Sequence, residues 1–160
     1  MKRTVSIIAL TALVLVLALA CACSGKGPKE VTKSAAEIYS AVAAAGKLGT
    51  MTPVPATDLS DVYGIDSSKL AEFAWYVSEN PSLNADEIGI FKVNDEAYAA
   101  SLEQIMKDRI ARQLNVAESY SPDEAAKLKA AQVVSVGNWV YFCVGGEGAA
   151  MMEVLRNEIG

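Results

Sequence analysis

Apolar residues recur every three or four positions in four stretches of this chain, the spacing that places them on one face of an α-helix. The first predicted helix, Ser34–Ala45, opens with a capping box formed by Ser34 and Glu37. The second runs from Asp95 to Leu114 and has Asn94 as its predicted cap. Its apolar stripe indicates packing against a core and consists of Tyr98, Leu102, Ile105, Met106, Ile110 and Leu114.

Two shorter helices are predicted nearer the C-terminus. The sequence Ser121-Pro122-Asp123-Glu124 combines a capping hydroxyl, a Pro at the first helical position and a carboxylate three residues after the cap. The segment Ala149–Ile159 is amphipathic and closes the chain as a last helix.

Aromatic and β-branched residues are concentrated in four other runs, which predict strands. These runs are Leu70–Ser78, Glu87–Val93, Gln132–Val136 and Trp139–Val144. We expect the first two to pair antiparallel, and Gly137-Asn138 to join the last two in a tight hairpin because Gly adopts the positive φ of such a turn. That turn makes Val136 the partner of Trp139 and places Cys143 opposite Gln132. Residues 50–69 carry Pro, Gly, Asp and Ser and are predicted to be irregular.

The order of these elements predicts an α+β domain over residues 34–160. Its antiparallel sheet has about four strands, arranged as two hairpins, with helices packed mainly on one face. Trp75, Trp139 and Tyr141 then belong to a face that the helices leave open, where they form a contact surface for a protein or a glycan. The alternative is that the first helix and residues 50–69 cover this face.

The N-terminal residues have the layout of a secretory signal peptide. Lys2 and Arg3 precede the apolar run Val5–Ala20, and small residues follow. A Cys directly after a small residue at this point resembles the bacterial lipobox, in which the thiol takes up a diacylglycerol and the chain is cut just before the Cys. Cys23 is the predicted lipidation site because it leads into a polar linker, and Cys21 is the alternative.

The predicted products of this processing are a signal peptide over residues 1–22 and a flexible tether over residues 23–33. A simple secretory signal and an uncleaved membrane anchor are the alternatives, although an anchor needs about 20 apolar residues. The lipid would hold the protein on the extracytoplasmic face of the cell membrane.

The charge of the chain and its His and Cys content argue against several classes of function. Removal of residues 1–22 leaves 138 of the 160 residues, with 19 acidic and 12 basic side chains and a net charge of −7. This balance argues against a nucleic-acid partner, which requires clustered Lys and Arg. The chain has no His, which removes the commonest general base and the commonest zinc ligand. Cys143 lies in an apolar strand without a charged neighbour, an unfavourable setting for a nucleophile.

Carboxylates are the remaining reactive groups. Asp58, Asp61 and Asp66 lie near Gly64, but their spacing is not that of a calcium loop. Asp86 and Glu87 are adjacent on a predicted strand and therefore point to opposite faces, so they do not flank one glycosidic bond. We therefore expect no catalytic residues, no metal and no cofactor.

Several of these segments together resemble an uncharacterised family of small Gram-positive lipoproteins, the domain-of-unknown-function family 4358. The resemblance covers roughly residues 34–159 and is carried by the lipobox, the Ala-rich first helix, Ala85-Asp86-Glu87-Ile88, Ile90-Phe91-Lys92-Val93, Ser119-Tyr120-Ser121-Pro122 and Gly137-Asn138-Trp139-Val140. These motifs are turns and caps, and the resemblance implies a fold and a location without an activity.

The function expected from the sequence is a lipid-anchored binding or interaction module at the cell envelope, with a protein or glycan partner and no enzymatic activity. A carboxylate-dependent envelope hydrolase and a small solute-binding accessory of a transporter are the alternatives.

Overall fold

The computed structural model describes residues 30–160, which form five helices around an antiparallel sheet of five strands. In chain order, these elements are α1 (Ala35–Gly46), β1 (Met51–Pro53), α2 (Ala56–Asp61), β2 (Leu70–Ser78), β3 (Glu87–Val93), α3 (Glu96–Tyr120), α4 (Pro122–Ala130), β4 (Gln132–Val136), β5 (Trp139–Val144) and α5 (Gly148–Glu158). A short 3₁₀ turn, Ser67–Lys69, precedes β2. The predicted α+β class is confirmed, with one strand more than expected.

The strand order is β1-β2-β3-β5-β4, and every neighbouring pair is antiparallel. The β4–β5 hairpin has the predicted register, with Val136 opposite Trp139 and Gln132 opposite Cys143. Gly137 adopts a φ of +56°, as a two-residue turn requires. The two hairpins meet where β3 pairs with β5, so the middle of the sheet joins segments about fifty residues apart in the chain.

Helices cover both faces of the sheet, which corrects the expectation that they pack mainly on one. We call the α3 side the first core; its largest fully buried members include Trp75, Phe91 and Phe142. The second core lies on the other face, where α1 and α5 pack over residues such as Ile90 and Tyr141. Because strand residues alternate between the two faces and both sets are apolar here, burying only one set would leave a large apolar surface in water.

The segment predicted to be irregular is more ordered than expected. It contains β1 and α2, and Leu59 and Ile65 from this segment are fully buried in the first core. β1 has only three residues and is held as an edge strand by pairing with β2. A strand this short has no detectable period in the sequence, because its conformation depends on the neighbouring strand.

Two predicted caps are also corrected. Asp95, not Asn94, caps α3 by accepting a hydrogen bond from the backbone of Ala97, and α3 continues to Tyr120. Ser121 occupies the N-cap position of α4 as predicted, but its side chain makes no capping hydrogen bond. At α1 the capping box between Ser34 and Glu37 forms as expected.

The described chain begins at the end of the sheet that carries the hairpin turn. Val31 packs against the second core, and Lys33 forms an ion pair with Glu158 near the end of α5. Cys23, the predicted lipidation site, and its alternative Cys21 lie outside the described residues, as does the predicted signal peptide. Within residues 30–160, none of the helices combines the length and the apolar character needed to cross a bilayer.

Candidate functional site

The aromatic residues predicted as a partner surface are buried, and they do not share a face. Trp75 lies in the first core and is 1 % exposed, whereas Trp139 and Tyr141 lie in the second core and are 4 % and 0 % exposed. The indole N–H of Trp75 donates to Glu87, and the hydroxyl of Tyr141 donates to the backbone oxygen of Gly160. The predicted open face is therefore corrected: helices occupy both sides, and these rings serve as core residues.

The carboxylate of Glu87 is the centre of a buried hydrogen-bond network beneath α3. Its Oε1 accepts from Trp75 Nε1 at 2.7 Å and from Arg109 Nε at 2.8 Å. Its Oε2 accepts from the Arg109 guanidinium at 3.1 Å and from Gln113 at 3.0 Å. The same guanidinium lies over the rings of Tyr63 and Trp75. With four donors on two oxygens, this carboxylate is fully engaged as a structural group.

A second polar network joins the loop before β3 to α4. Lys127 donates to Asp86 at 2.9 Å and pairs with Glu124, which in turn accepts from the backbone of Ala85. Burial alone would disfavour the charged lysine, but the hydrogen bonds to Asp86 and Glu124 outweigh it and raise the pKa of Lys127. Asn84 also contacts both Asp86 and Lys127. Asp86 thus attaches the loop to α4.

The three aspartates near Gly64 have separate surroundings. Asp66 caps the 3₁₀ turn through Ser68, whose hydrogen bonds lower the pKa of this carboxyl. Asp58 accepts from the hydroxyl of Thr57, and Asp61 ends α2. Over residues 30–160 no three acidic or thiol side chains are grouped closely enough to hold a metal ion.

An open cleft of about 540 Å³ lies between α4 and α5, at the end of the sheet opposite the hairpin turn. Its volume is within the range of sites that bind small molecules. Most of its lining residues have little or no side chain: Ala126, Ala130, Ala131, Gly145, Gly146, Gly148 and Ala149. Cys143 and Met152 are part of its lining, and both are nearly buried. We refer to this feature as the α4–α5 cleft.

Charged side chains stand around the α4–α5 cleft. Asp123 and Lys127 belong to α4, and Arg156 extends from the last turn of α5. Arg156 donates to Gln132 Oε1 at 2.8 Å, which connects α5 to the first residue of β4. At Cys143, burial raises the thiol pKa to about 12, although the positive charge of Arg156 acts in the opposite direction. Cys143 is therefore a neutral side chain of the cleft at physiological pH.

The sequence did not indicate this cleft. Its lining comes from α4, the start of β4, the end of β5, the glycine-rich turn and α5, and no motif joins them. The one local signal was that Ala126 and Ala130 repeat at helical spacing on α4, which is also compatible with simple helix packing.

A comparison with family models identifies the chain. The model described as a domain of unknown function, DUF4358, matches residues 44–145. The chain belongs to this family. The matched residues include all five strands, α3 and α4, and therefore both polar networks and one wall of the cleft of this DUF4358 protein. The other wall, α5, follows the matched segment, as Arg156 does.

Neither a curated protein nor a solved structure matches this DUF4358 chain.

Proposed function

We propose that this DUF4358 protein is a lipid-anchored, non-enzymatic binding module on the extracytoplasmic face of the cell membrane, and that the α4–α5 cleft is its binding site. The observation that carries the proposal is the position of the cleft relative to the start of the folded chain. The chain enters the domain beside the hairpin turn, where Val31 and Lys33 contact the second core and α5. The cleft lies at the other end of the sheet.

This arrangement suits an anchored receptor. Strands rise by about 3.3 Å per residue, so β5 alone separates the two ends by roughly 20 Å. A lipid attached to Cys23 would thus join the domain at the end away from the cleft, which leaves the cleft accessible from the envelope. The support for the lipid itself is the order of residues 1–25, with basic residues, an apolar run and a Cys after a small residue.

The burial and ion pairing of Glu87 and Asp86 favour a binding function over a hydrolase. A general acid or base must reach the substrate within hydrogen-bond distance. Glu87 is 1 % exposed and bound by Arg109, and Asp86 is 7 % exposed and bound by Lys127. The alternative of a carboxylate-dependent envelope hydrolase would require these groups to leave their partners. A small solute-binding accessory of a transporter is the second alternative, and it would use the same cleft.

Metabolic labelling with a tagged palmitate tests the anchor. We expect the label on the wild-type protein and on Cys21→Ala, and its loss in Cys23→Ala. If the label disappears only in Cys21→Ala, the assigned site is wrong, and if neither change removes it, the protein is not anchored through these residues.

Complementation of a deletion strain tests the cleft. Gly146 lines the cleft, and a Cβ added there has no atom within 4 Å, so a larger side chain would fit without a clash; the same holds for Gly49 outside the cleft. We expect Gly146→Leu to abolish complementation and the matched control Gly49→Leu to retain it.

The same assay tests the hydrolase alternative, and we expect Asp86→Asn to complement the deletion. Loss of function in Asp86→Asn at unchanged free energy of unfolding would instead support the hydrolase.

A further inference from the structure

Arg156 differs from most basic residues of the domain because it forms no ion pair with a carboxylate. Residues 30–160 contain 19 acidic but only 10 basic side chains, and eight of the ten lie within 4.0 Å of a carboxylate oxygen. Within this described part of the chain, Arg112 and Arg156 are the two that form no such ion pair. Both side chains are exposed; Arg112 lies on α3, and Arg156 lines the α4–α5 cleft.

The guanidinium of Arg156 is held in position by a neutral group. Gln132 Oε1 accepts one of its N–H groups at 2.8 Å, and a guanidinium has five such donors in a planar fork. An amide oxygen orients the fork without neutralising its charge. A carboxylate is the group whose geometry matches this fork, through two parallel hydrogen bonds.

The positive charge of Arg156 extends over the wall formed by β5. It opposes the effect of burial on the pKa values of Cys143 and Tyr141, favouring the negative form of both groups. A ligand anion in the cleft would experience the same attraction. Elsewhere the surface is dominated by carboxylates, so an anion is repelled except near a cation that has no acidic partner.

The rest of the cleft defines the size and character of such a ligand. Ala126, Ala130 and Ala149 present methyl groups, which accept small apolar side chains but offer few hydrogen bonds. Asp123 stands on the α4 wall across from α5 and is placed to attract an ammonium group. A short peptide of small residues combines a carboxylate, methyl groups and an amine.

We propose that Arg156 binds the carboxylate of a small ligand in the α4–α5 cleft, with the free C-terminus of a short peptide as the ligand class. The inference rests on the binding role proposed above and adds the chemistry that the site recognises. Arg156 is the anchoring residue, and Gln132 is a positioning residue that orients its guanidinium.

The experiment is a ligand-observed NMR titration of the full-length protein in detergent micelles. The probes are alanyl-alanine, alanyl-alanine amide, acetate and inorganic phosphate. The dipeptide and its amide differ only at the carboxylate. We expect the dipeptide to bind and the amide to bind about tenfold or more weakly, since hydrogen bonds between charged groups are stronger than those to a neutral amide.

Acetate distinguishes a free small acid from a peptide terminus. Binding of the dipeptide more tightly than acetate supports a peptide ligand, and equal binding would overturn this ligand class in favour of a small acid held by the same contact. Binding of phosphate alone would overturn the inference, as would the absence of binding by both carboxylate probes.

Variants of Arg156 test whether its contact with the ligand carboxylate contributes to binding. Arg156→Gln should weaken the dipeptide about tenfold or more while leaving the amide unchanged, and Arg156→Lys should weaken it less because the charge remains and only the fork is lost. Arg112→Gln is the matched control and should bind as the wild type does. Equal binding by Arg156→Gln and the wild type would overturn the inference.

One comparison distinguishes failure of this inference from failure of the proposed function. If Gly146→Leu loses the dipeptide while Arg156→Gln keeps it, the cleft is a binding site but its carboxylate contact is wrong. If Gly146→Leu binds the dipeptide normally and also complements the deletion, the cleft is not the site, and both proposals fail.

Discussion

Glu87 lies in the interior of the molecule with a negative charge, which is stable there only if its oxygens have donors and a counter-charge. Trp75, Arg109 and Gln113 provide both, and they come from β2 and α3. The network therefore ties the long helix to the centre of the sheet at one defined position. The directional hydrogen bonds of this network thus add to the specificity of apolar packing.

We expect Glu87→Leu to lower the free energy of unfolding by about 3–5 kcal/mol, because it leaves the largely buried Arg109 side chain without its partner. The double variant Glu87→Leu/Arg109→Leu should lose less than the sum of the two single changes. Urea denaturation measures all three. The exposed pair Glu103 and Lys107 on the same helix is the control, and its removal should cost less than about 1 kcal/mol. Additive losses for the buried pair would contradict this account.

Cys143 gives a second prediction for single residues. Burial raises the pKa of its thiol to about 12, so the native side chain stays protonated at pH 8.5, near the ordinary value for Cys. Iodoacetamide at that pH should modify Cys143 slowly in the native protein and rapidly in urea, as measured by mass spectrometry of the peptide containing it. Similar rates in both states would show that the thiol is accessible.

The raised pKa of the Cys143 thiol also makes the free energy of unfolding depend on pH. The pKa of the folded state lies above that of the unfolded state, so between about 8.5 and 12 the unfolded chain releases a proton that the folded chain retains. This contribution to stability is fully present below about pH 8.5 and is lost as the pH rises towards 12. Replacement by Ala should reduce the alkaline loss of stability.

Among the secondary-structure elements, the β4–β5 hairpin depends on local sequence and β3 depends on close packing. The hairpin needs the positive φ of Gly137 at its turn. β3 needs the missing side chain of Gly89, since the rings of Phe91 and Phe142 pack against its backbone. Gly137 is thus required for its backbone conformation, and Gly89 is required because its position leaves no room for a side chain.

At the turn, Gly137→Val should destabilise the protein by about 1–3 kcal/mol because a β-branched residue strongly disfavours positive φ. Gly137→Asn should cost less, since Asn tolerates this region. Thermal unfolding compares the two. A Val variant as stable as the Asn variant would mean that the turn does not depend on this conformation.

In the central strand, a Cβ added to Gly89 would lie 2.3 Å from Phe142 Cε1 and 2.9 Å from Phe91 Cε2. Gly89→Ala should therefore cost about 1–3 kcal/mol through overpacking, although Ala has less conformational freedom to lose on folding. Gly49→Ala is the control, because a Cβ there meets open space. Equal stability of the two variants in urea would contradict this interpretation of the ring packing.

For the whole molecule, one sheet is shared by two cores, and each core contains one of the two tryptophans of the chain. Trp75 reports on the α3 side and Trp139 on the side of α1 and α5. Because β3 and β5 contribute side chains to both cores, we expect the two to unfold together.

Single-tryptophan variants test this cooperativity. Trp139→Phe leaves Trp75 as the fluorescent probe, and Trp75→Phe leaves Trp139. In each variant, the fluorescence should change at the same urea concentration as the far-UV circular dichroism. A fluorescence transition that precedes the dichroism transition in either variant would show that one layer unfolds separately.

Short-range signals were sufficient for most elements. The bounds of β2, β3, β4 and β5 agree with the prediction, because each strand is enriched in β-branched and aromatic residues. The hairpin register followed from Gly137-Asn138 alone, and α1 followed from its capping box. In each case the determining interactions join residues only a few positions apart.

Competition between local and distant partners explains the errors near α4. Glu124 was expected to complete a capping box with Ser121, but its carboxylate accepts from the backbone of Ala85 and pairs with Lys127. The fold brings the peptide group of Ala85 close to Glu124, so this contact cannot be predicted from the sequence around Ser121.

The sequence by itself thus determined four of the five helices, four of the five strands, the α+β class and the register of one hairpin. The tertiary structure decided that β3 pairs with β5, that helices cover both faces, and that Arg156 meets Gln132 beside a cleft. The physical reason is range: helix and turn signals act over a few residues, whereas the sheet order and the cleft depend on contacts between distant segments that exist only after the whole chain has packed.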